Sequence, residues 1–311
     1  MLNEPIDILK TYPIRKNKEQ KESFRADVTS YVKELGYDVC LEKGSFGAQN
    51  IIIGDPKTAK YLVTAHYDTP ASIGLPNFLT PCNLLVYIFW QVLLVGAFVV
   101  AAAVPGALFG IALDSPELAG TASMVIYWGL LFLMMFGPAN KSNANDNTSG
   151  VVTVLEIART MPRMHRDKVC FVLFDLEEAG LIGSGAYRKA HKAESDGQII
   201  LNLDCVGDGD HIIFFPTKKA KKNQKLMQEL HRLGGWFNKK HISLKQDGFY
   251  TYPSDQKHFP VGIGIAAFHK KKGIGYYVAK IHTKKDTVLE ITNVNLLRAA
   301  ITTLICGEAV N

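Results

Sequence analysis

Side chains able to bind a divalent metal follow several apolar segments of this 311-residue sequence. Such segments are typical of buried strands, and ligands of open α/β sheets gather beyond the carboxyl ends of strands. Two imidazoles and three carboxylates would together suit zinc or another borderline divalent ion. In chain order, the candidate positions are His66, Asp146, the adjacent Glu177 and Glu178, Asp204 and His282. We therefore expect these positions to converge on one metal site.

Two local patterns make the metal hypothesis more specific. His66 and Asp68 are two positions apart, so their side chains point the same way on an extended chain, and Asp68 could orient His66 by accepting its second N–H. Of Glu177 and Glu178, one could bind metal while the other takes a proton from bound water. The alternatives are a turn carboxylate at Asp68 and an acidic helix N-terminus at 177–178.

Alternating apolar patterns predict the elements that position these groups. The predicted strands are 37–41, 49–53, 60–66, 169–175, 198–204, 211–215, 261–268 and 274–278. The predicted helices are 17–36, 146–161 (starting at Thr148 or Ser149), 177–191, 221–236 and 293–308. This alternation predicts an α/β fold, with a central mixed, mostly parallel sheet flanked by helices.

Charged residues are nearly absent from one long stretch. Between Thr69 and Asn140 only Asp114 and Glu117 are charged, although the whole chain has 35 Lys and Arg against 29 Asp and Glu, a formal charge of +6. Segments 84–104 and 118–138 each have the roughly 20 apolar residues that a membrane-spanning helix needs. We expect a transmembrane helical hairpin at 83–138, inserted into one discontinuous domain formed by 1–72 and 140–311.

The charge distribution also predicts an orientation. Lys and Arg occur on both sides of the hairpin but not in its connecting loop, so the positive-inside rule places the domain and both termini in the cytoplasm of a two-span cell-membrane protein. The first 21 residues have no apolar run, so no cleavable secretion signal is expected. Five cysteines without a CxxC pair predict free thiols in a reducing compartment.

Other interpretations of the hairpin remain open. It could be a core hairpin within a larger soluble fold, it could lie in one leaflet, or it could join protomers into a homo-oligomer. Five glycines could let its helices pack closely: Gly96, Gly106, Gly110, Gly120 and Gly129. The lysine runs elsewhere are interpreted as solvated surface or as contacts to anionic lipid, and no nucleic-acid partner is expected because no recognition motif accompanies them.

Motifs on both sides of the hairpin resemble the two-zinc aminopeptidases related to aminopeptidase Y and the bacterial leucyl aminopeptidases. Glutamate carboxypeptidase II and the glutaminyl cyclases are more distant members of that group. The matching segments occur in the family's order and cover the chain on both sides of the hairpin. They are TAHYDT (64–69), NANDNTSGVVTVLEIAR (143–159), VLFDLEEAGLIGSGAY (172–187), LNLDCVG (201–207), SDQKHF (254–259) and HTKKDT (282–287).

The resemblance implies two zinc ions and a role for each candidate position. The ligands would be His66 and Asp204 for one ion, Glu178 and His282 for the other, and Asp146 for both. The resemblance further implies that Glu177 is the general base, taking a proton from a water that bridges the ions, and that Asp68 supports His66.

Two departures from the family pattern affect what can be carried over. The family usually has a short loop between the first His and the bridging Asp, where this chain has the hydrophobic hairpin. Many members have Tyr before the last His, where this chain has Ile281. A phenol that assists oxyanion binding would have to come from elsewhere. The candidates are Tyr250, Tyr252, Tyr276 and Tyr277.

Together these patterns predict a membrane-anchored zinc aminopeptidase acting on N-terminal peptide bonds, including those of hydrophobic peptides held in the bilayer. One alternative is an amidase or deacylase of lipid-like N-acyl amino acids, and another is a non-catalytic scaffold or binding protein. Glutaminyl cyclisation is disfavoured, because those relatives use one zinc whereas His66 and Asp204 are both retained.

Overall fold

The computed structural model describes residues 2–72 and 78–307. The strands are β1 (Val39–Lys43), β2 (Gln49–Ile53), β3 (Tyr61–His66), β4 (Val169–Phe174), β5 (Ile199–Leu203), β6 (His211–Pro216), β7 (Gly235–Phe237), β8 (Lys240–Leu244), β9 (Gly262–Lys271) and β10 (Gly275–Tyr277). The α-helices are α1 (Ile8–Thr11), α2 (Lys18–Glu34), α3 (Leu84–Ala112), α4 (Pro116–Phe136), α5 (Gly150–Thr160), α6 (Ile182–Ala190), α7 (Lys192–Ser195), α8 (Gln224–Arg232) and α9 (Ile291–Cys306). Short helical turns lie at Pro5–Asp7, Ser45–Gly47, Ala144–Ser149, Arg163–Lys168, Ala220–Lys222 and Asp255–His258.

The strands form one mixed sheet in the order β1-β2-β4-β3-β5-β9-β6-β8-β7, with β10 paired to β9. Pairs β3–β4, β3–β5, β5–β9 and β6–β8 are parallel. The other pairings of the described strands are antiparallel. The predicted α/β class with a mixed sheet is therefore confirmed. The expectation of a mostly parallel sheet holds for the central run β4-β3-β5-β9 and for β6–β8 only. Pairs β1–β2, β7–β8 and β9–β10 are hairpins closed by short turns, and β2 and β6 run opposite to their distant partners β4 and β9.

Both faces of the central sheet are buried. Val63 and Phe171 belong to the core beneath α2, α5 and α9. Leu62 and Val172 belong to a second core on the opposite face, together with Tyr187 of α6. Alternate residues of β3 and β4 therefore contribute to different cores, which explains why these strands are continuous apolar runs in the sequence.

Two helix boundaries differ from the sequence prediction. The helix predicted at 177–191 begins only at Ile182, because Leu176 and Leu181 have the positive φ values of 54° and 61° and enclose turns. The helix predicted at 221–236 ends at Arg232, and Gly235–Phe237 instead forms β7 against the unpredicted β8. A φ of 150° at Gly235 favours glycine and breaks the helical pattern there. The predicted end of the last helix, Glu308, lies outside the described residues.

Helices α3 and α4 form an antiparallel hairpin whose outer surface is apolar. Both are long and apolar enough to cross a membrane, and α3 continues past the predicted end at 104 to Ala112. Leu85 is 81% exposed and Ile111 is 77% exposed. This exposure does not fit the interpretation as a core hairpin buried in a larger soluble fold.

Glycine allows α3 to approach α4 closely at two positions. A Cβ on Gly106 would lie 2.1 Å from Ser123 Oγ, and a Cβ on Gly110 would lie 2.4 Å from Ala119 Cβ. The other three hairpin glycines face open space: Gly96, Gly120 and Gly129. The predicted role in close packing therefore holds for Gly106 and Gly110 only.

Where its chain returns to the domain, the hairpin is joined to the segment that follows β3. Ala71 and Ala139 form an antiparallel bridge. The N–H of Ser72 donates to Pro138 O at 2.8 Å, and the N–H of Asn140 donates to Pro70 O at the same distance. The segment leaving β3 and the segment leaving α4 are thus paired within a few residues of His66.

Candidate active site

The predicted site residues meet at one edge of the sheet. The neighbouring strands β4, β3 and β5 are parallel, so their carboxyl ends bring Glu177, His66 and Asp204 to the same edge. Asp146 comes from the irregular segment Ala144–Ser149 that precedes α5. His282 follows β10 in a left-handed conformation, with φ 59°. The structure therefore brings together every residue that the sequence suggested as a metal ligand.

Two groups of three ligand atoms share Asp146. In the first group, His66 Nε2 lies 3.3 Å from Asp146 Oδ1 and 3.8 Å from Asp204 Oδ1. In the second group, His282 Nε2 lies 3.0 Å from Asp146 Oδ2 and 3.5 Å from Glu178 Oε2. Within each group all ligand atoms lie within 4.8 Å of one another. The two oxygens of Asp146 thus face different histidines, as a carboxylate shared by two cations would.

Asp68 links His66 to the segment that carries the two glutamates. Its Oδ1 lies 3.4 Å from His66 Nδ1, longer than a good hydrogen bond. Its two oxygens also accept the backbone N–H groups of Glu177 and Glu178, at 3.0 and 3.2 Å. Asp68 is 3% exposed, so these bonds are shielded from water. Asp68 therefore connects His66 of the first group to the backbone of Glu178 of the second group.

Sequence reasoning assigned no role to two other residues that hold the ligands. Asp286 accepts the backbone N–H groups of Asn145 and Asp146, at 2.8 and 3.0 Å, and so fixes the segment bearing the shared carboxylate. Ser254 donates its hydroxyl to Asp204 Oδ2 at 2.6 Å. Both residues lie in motifs that carry the family resemblance, but residue type alone does not distinguish such a support from a turn residue.

Two carboxylate oxygens of these groups are buried without a hydrogen-bond partner among the described residues. They are Glu178 Oε1 and Asp204 Oδ1. Buried polar atoms are normally paired, so unpartnered oxygens in one site indicate that an electropositive group binds there. The donor set of imidazole and carboxylate is the set that zinc accepts. The residues present therefore fit a zinc site.

The pKa shifts of the carboxylates also support a bound cation at this site. Burial raises the pKa of Glu177 well above its usual range, with His66 opposing it and repulsion from Glu178 adding to it. Burial and repulsion from Asp146 likewise raise the pKa of Glu178. Burial also raises the pKa of Asp146, but hydrogen bonds to His282 and His66 outweigh it and hold that pKa below its usual range. A cation among these carboxylates would relieve their repulsion.

A cavity of about 150 Å³ gives access to the two groups of ligands. Its apolar lining is Leu79, Cys205, Tyr252, Pro253 and Ile281. Of the four tyrosines considered as oxyanion donors, only Tyr252 lines this cavity, and its hydroxyl already donates to Asp204 O at 2.8 Å. Tyr250 donates instead to Pro216 O.

The chain belongs to peptidase family M28, whose family model matches residues 130–305, more than half of the chain. That range contains all the predicted site residues except His66 and Asp68. A stretch of 67 residues is 40% identical to aminopeptidase YwaD of Bacillus subtilis (strain 168). The stretch covers 21% of this chain and only 15% of that protein. These findings confirm the family resemblance and the class of enzyme, a metallopeptidase-type hydrolase.

Solved structures with the same fold include both peptidases and cyclases. A Zn-dependent exopeptidase from Parabacteroides distasonis ATCC 8503 has a TM-score of 0.56 and 16% identity, over 94% of this chain and 92% of that one. The LapA aminopeptidase of Legionella pneumophila has a TM-score of 0.59 and 13% identity, over 99% and 70% of the two chains. The Porphyromonas gingivalis glutaminyl cyclase has a TM-score of 0.60 and 15% identity, over 97% and 96%. At these identities the likeness establishes the fold alone.

Proposed function

We propose that this protein is a membrane-anchored zinc aminopeptidase that hydrolyses N-terminal peptide bonds with a pair of metal ions. The observation that carries the proposal is the position of Asp146, whose two carboxylate oxygens face His66 and His282 at 3.3 and 3.0 Å. His66 and Asp204 would hold one ion, Glu178 and His282 the other, and Asp146 both. When bound, zinc would polarise the scissile carbonyl and lower the pKa of water.

The chain's own residues supply the proton transfers and the orientation. Glu177 lines the cavity, has a carboxylate oxygen within 4.8 Å of the His66 ligand atom, and belongs to neither group that contains Asp146. It is therefore the carboxylate free to take a proton from the attacking water and to return it to the leaving amine. Asp68 and Asp286 hold the segments on which these side chains depend.

Helices α3 and α4 would anchor the enzyme in the membrane. Their exposed apolar surface supports two spans, and the absence of Lys and Arg from the connecting loop supports a cytoplasmic catalytic domain. Labelling with a membrane-impermeant maleimide tests this orientation. Exposed Cys40 should react only in inverted vesicles, whereas a Ser115→Cys variant should react from the outside of intact cells.

The catalytic proposal is tested by the variant Glu177→Gln, which keeps the size of the side chain but removes the base. We expect peptide hydrolysis to fall by about 100-fold or more, within the range for loss of a general base. Zinc content should stay at the wild-type value, because Glu177 is not a proposed ligand. Wild-type protein with its full zinc content but no activity on a broad panel of N-terminal residues would contradict the proposal.

The exposed hairpin also favours a second candidate, an amidase acting on lipid-like N-acyl amino acids. The same metal pair would serve this reaction, since only the acyl part differs. A panel of N-acyl amino acids run beside the peptide panel separates the two candidates. The same assay should include glutaminyl peptides, because glutaminyl cyclases share this fold. A separate measurement of metal content tests the third alternative: a zinc content near zero would support a non-catalytic scaffold.

A further inference from the structure

A second, larger cavity adjoins the metal site and is walled by the end of the hairpin. It has a volume of about 490 Å³, and Glu178 and Asp68 are among its lining residues. Glu178 also lines the smaller cavity that contains the ligand groups. The two cavities therefore share a proposed metal ligand in their walls, which places the larger one beside the proposed reaction site.

The outer wall of the larger cavity is apolar and comes from the last turn of α4 and the chain beyond it. Met135 and Phe136 form this wall, and Leu176 and Ala179 face them from the loop that carries the glutamates. The hairpin is therefore part of the lining of a cavity that shares Glu178 with the candidate metal site.

Lys16 brings a positive charge into this cavity, beside the apolar wall. Its ammonium is half-buried and donates to two backbone carbonyls, Met135 O at 3.3 Å and Thr69 O at 3.4 Å. No ion pair joins it to a carboxylate in the part of the chain that the structure describes. The neighbouring Lys21 lines the same cavity but is held 2.5 Å from Asp175. Lys16 is therefore the lysine of this cavity that has capacity for an incoming anion.

We propose that this cavity binds the leaving part of a short peptide, with an apolar C-terminal side chain against Met135 and Phe136 and its free α-carboxylate on Lys16. The proposal rests on the aminopeptidase function and makes its substrate class specific: dipeptides and tripeptides with an apolar C-terminal residue.

The smaller cavity suits the opposite end of such a peptide. Of its four carboxylates, Glu177 alone is not a proposed metal ligand, so an amino-terminal ammonium would lie near Glu177. With the carboxylate on Lys16 and the amino end beside Glu177, charge fixes the direction in which the peptide lies across the metal site. A long peptide or an internal amide would lose the contact with Lys16.

Binding to the zinc-free full-length protein in detergent tests the cavity without catalysis. The probes are N-acetyl-leucine and N-acetyl-leucinamide, which differ only in the carboxylate, with affinities measured by saturation-transfer NMR. We expect the acid to bind about tenfold more tightly than the amide, a difference of about 1.4 kcal/mol for one partly buried charge pair. Lys16→Met should reduce this ratio to about one, Lys16→Arg should keep it, and the exposed Lys18→Met should leave it unchanged.

A second variant tests the apolar wall separately from the charge. Phe136→Ala should weaken the acid and the amide by a similar factor and leave their ratio intact. In the zinc-loaded enzyme, hydrolysis of leucyl-leucine over leucyl-leucinamide should show the same dependence on Lys16. A wild-type ratio near one, or a ratio retained in Lys16→Met, would overturn the assignment of this cavity. A normal binding ratio with no hydrolysis of any peptide would uphold the cavity and refute the aminopeptidase function instead.

Discussion

The carboxylate of Asp68 accepts the backbone N–H of Glu177 at 3.0 Å across 109 positions of sequence. The same side chain faces His66 Nδ1, so one residue sets the position of a proposed ligand and of the proposed base. We expect Asp68→Asn to lower zinc affinity and kcat/KM each by about 10- to 100-fold, as the loss of such supports does at other metal sites. The carboxylate accepts hydrogen bonds from two backbone N–H groups, one to each oxygen. In the Asp68→Asn variant the amide nitrogen would replace one of these oxygens, so that a donor would face a donor.

Calorimetric zinc titration and peptide hydrolysis measure these two effects of Asp68→Asn. The exposed Asp38→Asn serves as the matched control, since it changes the same charge away from the site. Unchanged zinc affinity in Asp68→Asn would show that the contact between Asp68 Oδ1 and His66 Nδ1, at 3.4 Å, does not contribute to zinc binding.

Metal content per chain distinguishes the proposed shared carboxylate from the other proposed ligands. In buffered zinc the wild-type protein should retain about two ions per chain, and Asp204→Asn and His282→Ala should each retain about one, because each removes a proposed ligand from one group only. Asp146→Asn should fall lowest, since it removes a ligand from both groups. Plasma mass spectrometry after dialysis gives the numbers, and equal losses in all three variants would argue against a bridging role for Asp146.

The variant Asp286→Ala tests whether Asp286 holds the backbone segment that bears Asp146. Asp286→Ala removes the acceptor of two buried N–H groups, at Asn145 and Asp146, and should lower the free energy of unfolding by about 1–3 kcal/mol for each donor left unpaired. Zinc affinity should fall as well, because the segment bearing Asp146 would move. Thermal unfolding of the zinc-free protein measures the first effect. A loss of stability in zinc-loaded protein only would mean that Asp286 acts through the metal instead.

The contact between α3 and α4 predicts opposite outcomes for two similar substitutions. Gly106→Ala places a Cβ 2.1 Å from Ser123 Oγ and 2.7 Å from the Ser123 backbone nitrogen, so it should destabilise the hairpin by about 1–3 kcal/mol. Gly120→Ala meets open space, and alanine's higher helix propensity should leave stability unchanged or raise it by up to about 1 kcal/mol. Thermal unfolding in detergent compares the two. Equal midpoints would show that α3 and α4 are not packed this closely.

Much of the site could be predicted from the sequence because its candidate ligands lie at the ends of recognisable strands. The apolar runs before His66, Glu177 and Asp204 identify β3, β4 and β5, and parallel neighbours bring their ends to one edge. Asp146 and His282 lie on irregular segments; the sequence suggested both as candidates, but only the family resemblance gave each a role.

The parts that sequence reasoning missed depend on contacts between distant segments. Nothing in the pattern around Lys16 indicates that its ammonium meets the last turn of α4, because that contact forms only once the hairpin has returned to the sheet. The helix predicted through Glu177 is wrong for two reasons. The backbone N–H groups of Glu177 and Glu178 donate to the distant Asp68, and Leu176 and Leu181 have positive φ values that are not helical.

The bridge between Ala71 and Ala139 has a consequence for how such a chain could have arisen. The chain leaves the domain at residues 70–72 and returns at residues 138–140, and these two segments are paired and antiparallel. An insertion between them therefore does not change the order of the strands in the sheet. A tight turn would close the same ladder in an ancestor without the hairpin. The anchor proposed for α3 and α4 would then need only a single insertion into a domain that already had this sheet, and the last turn of α4 would have become part of the wall of the larger cavity.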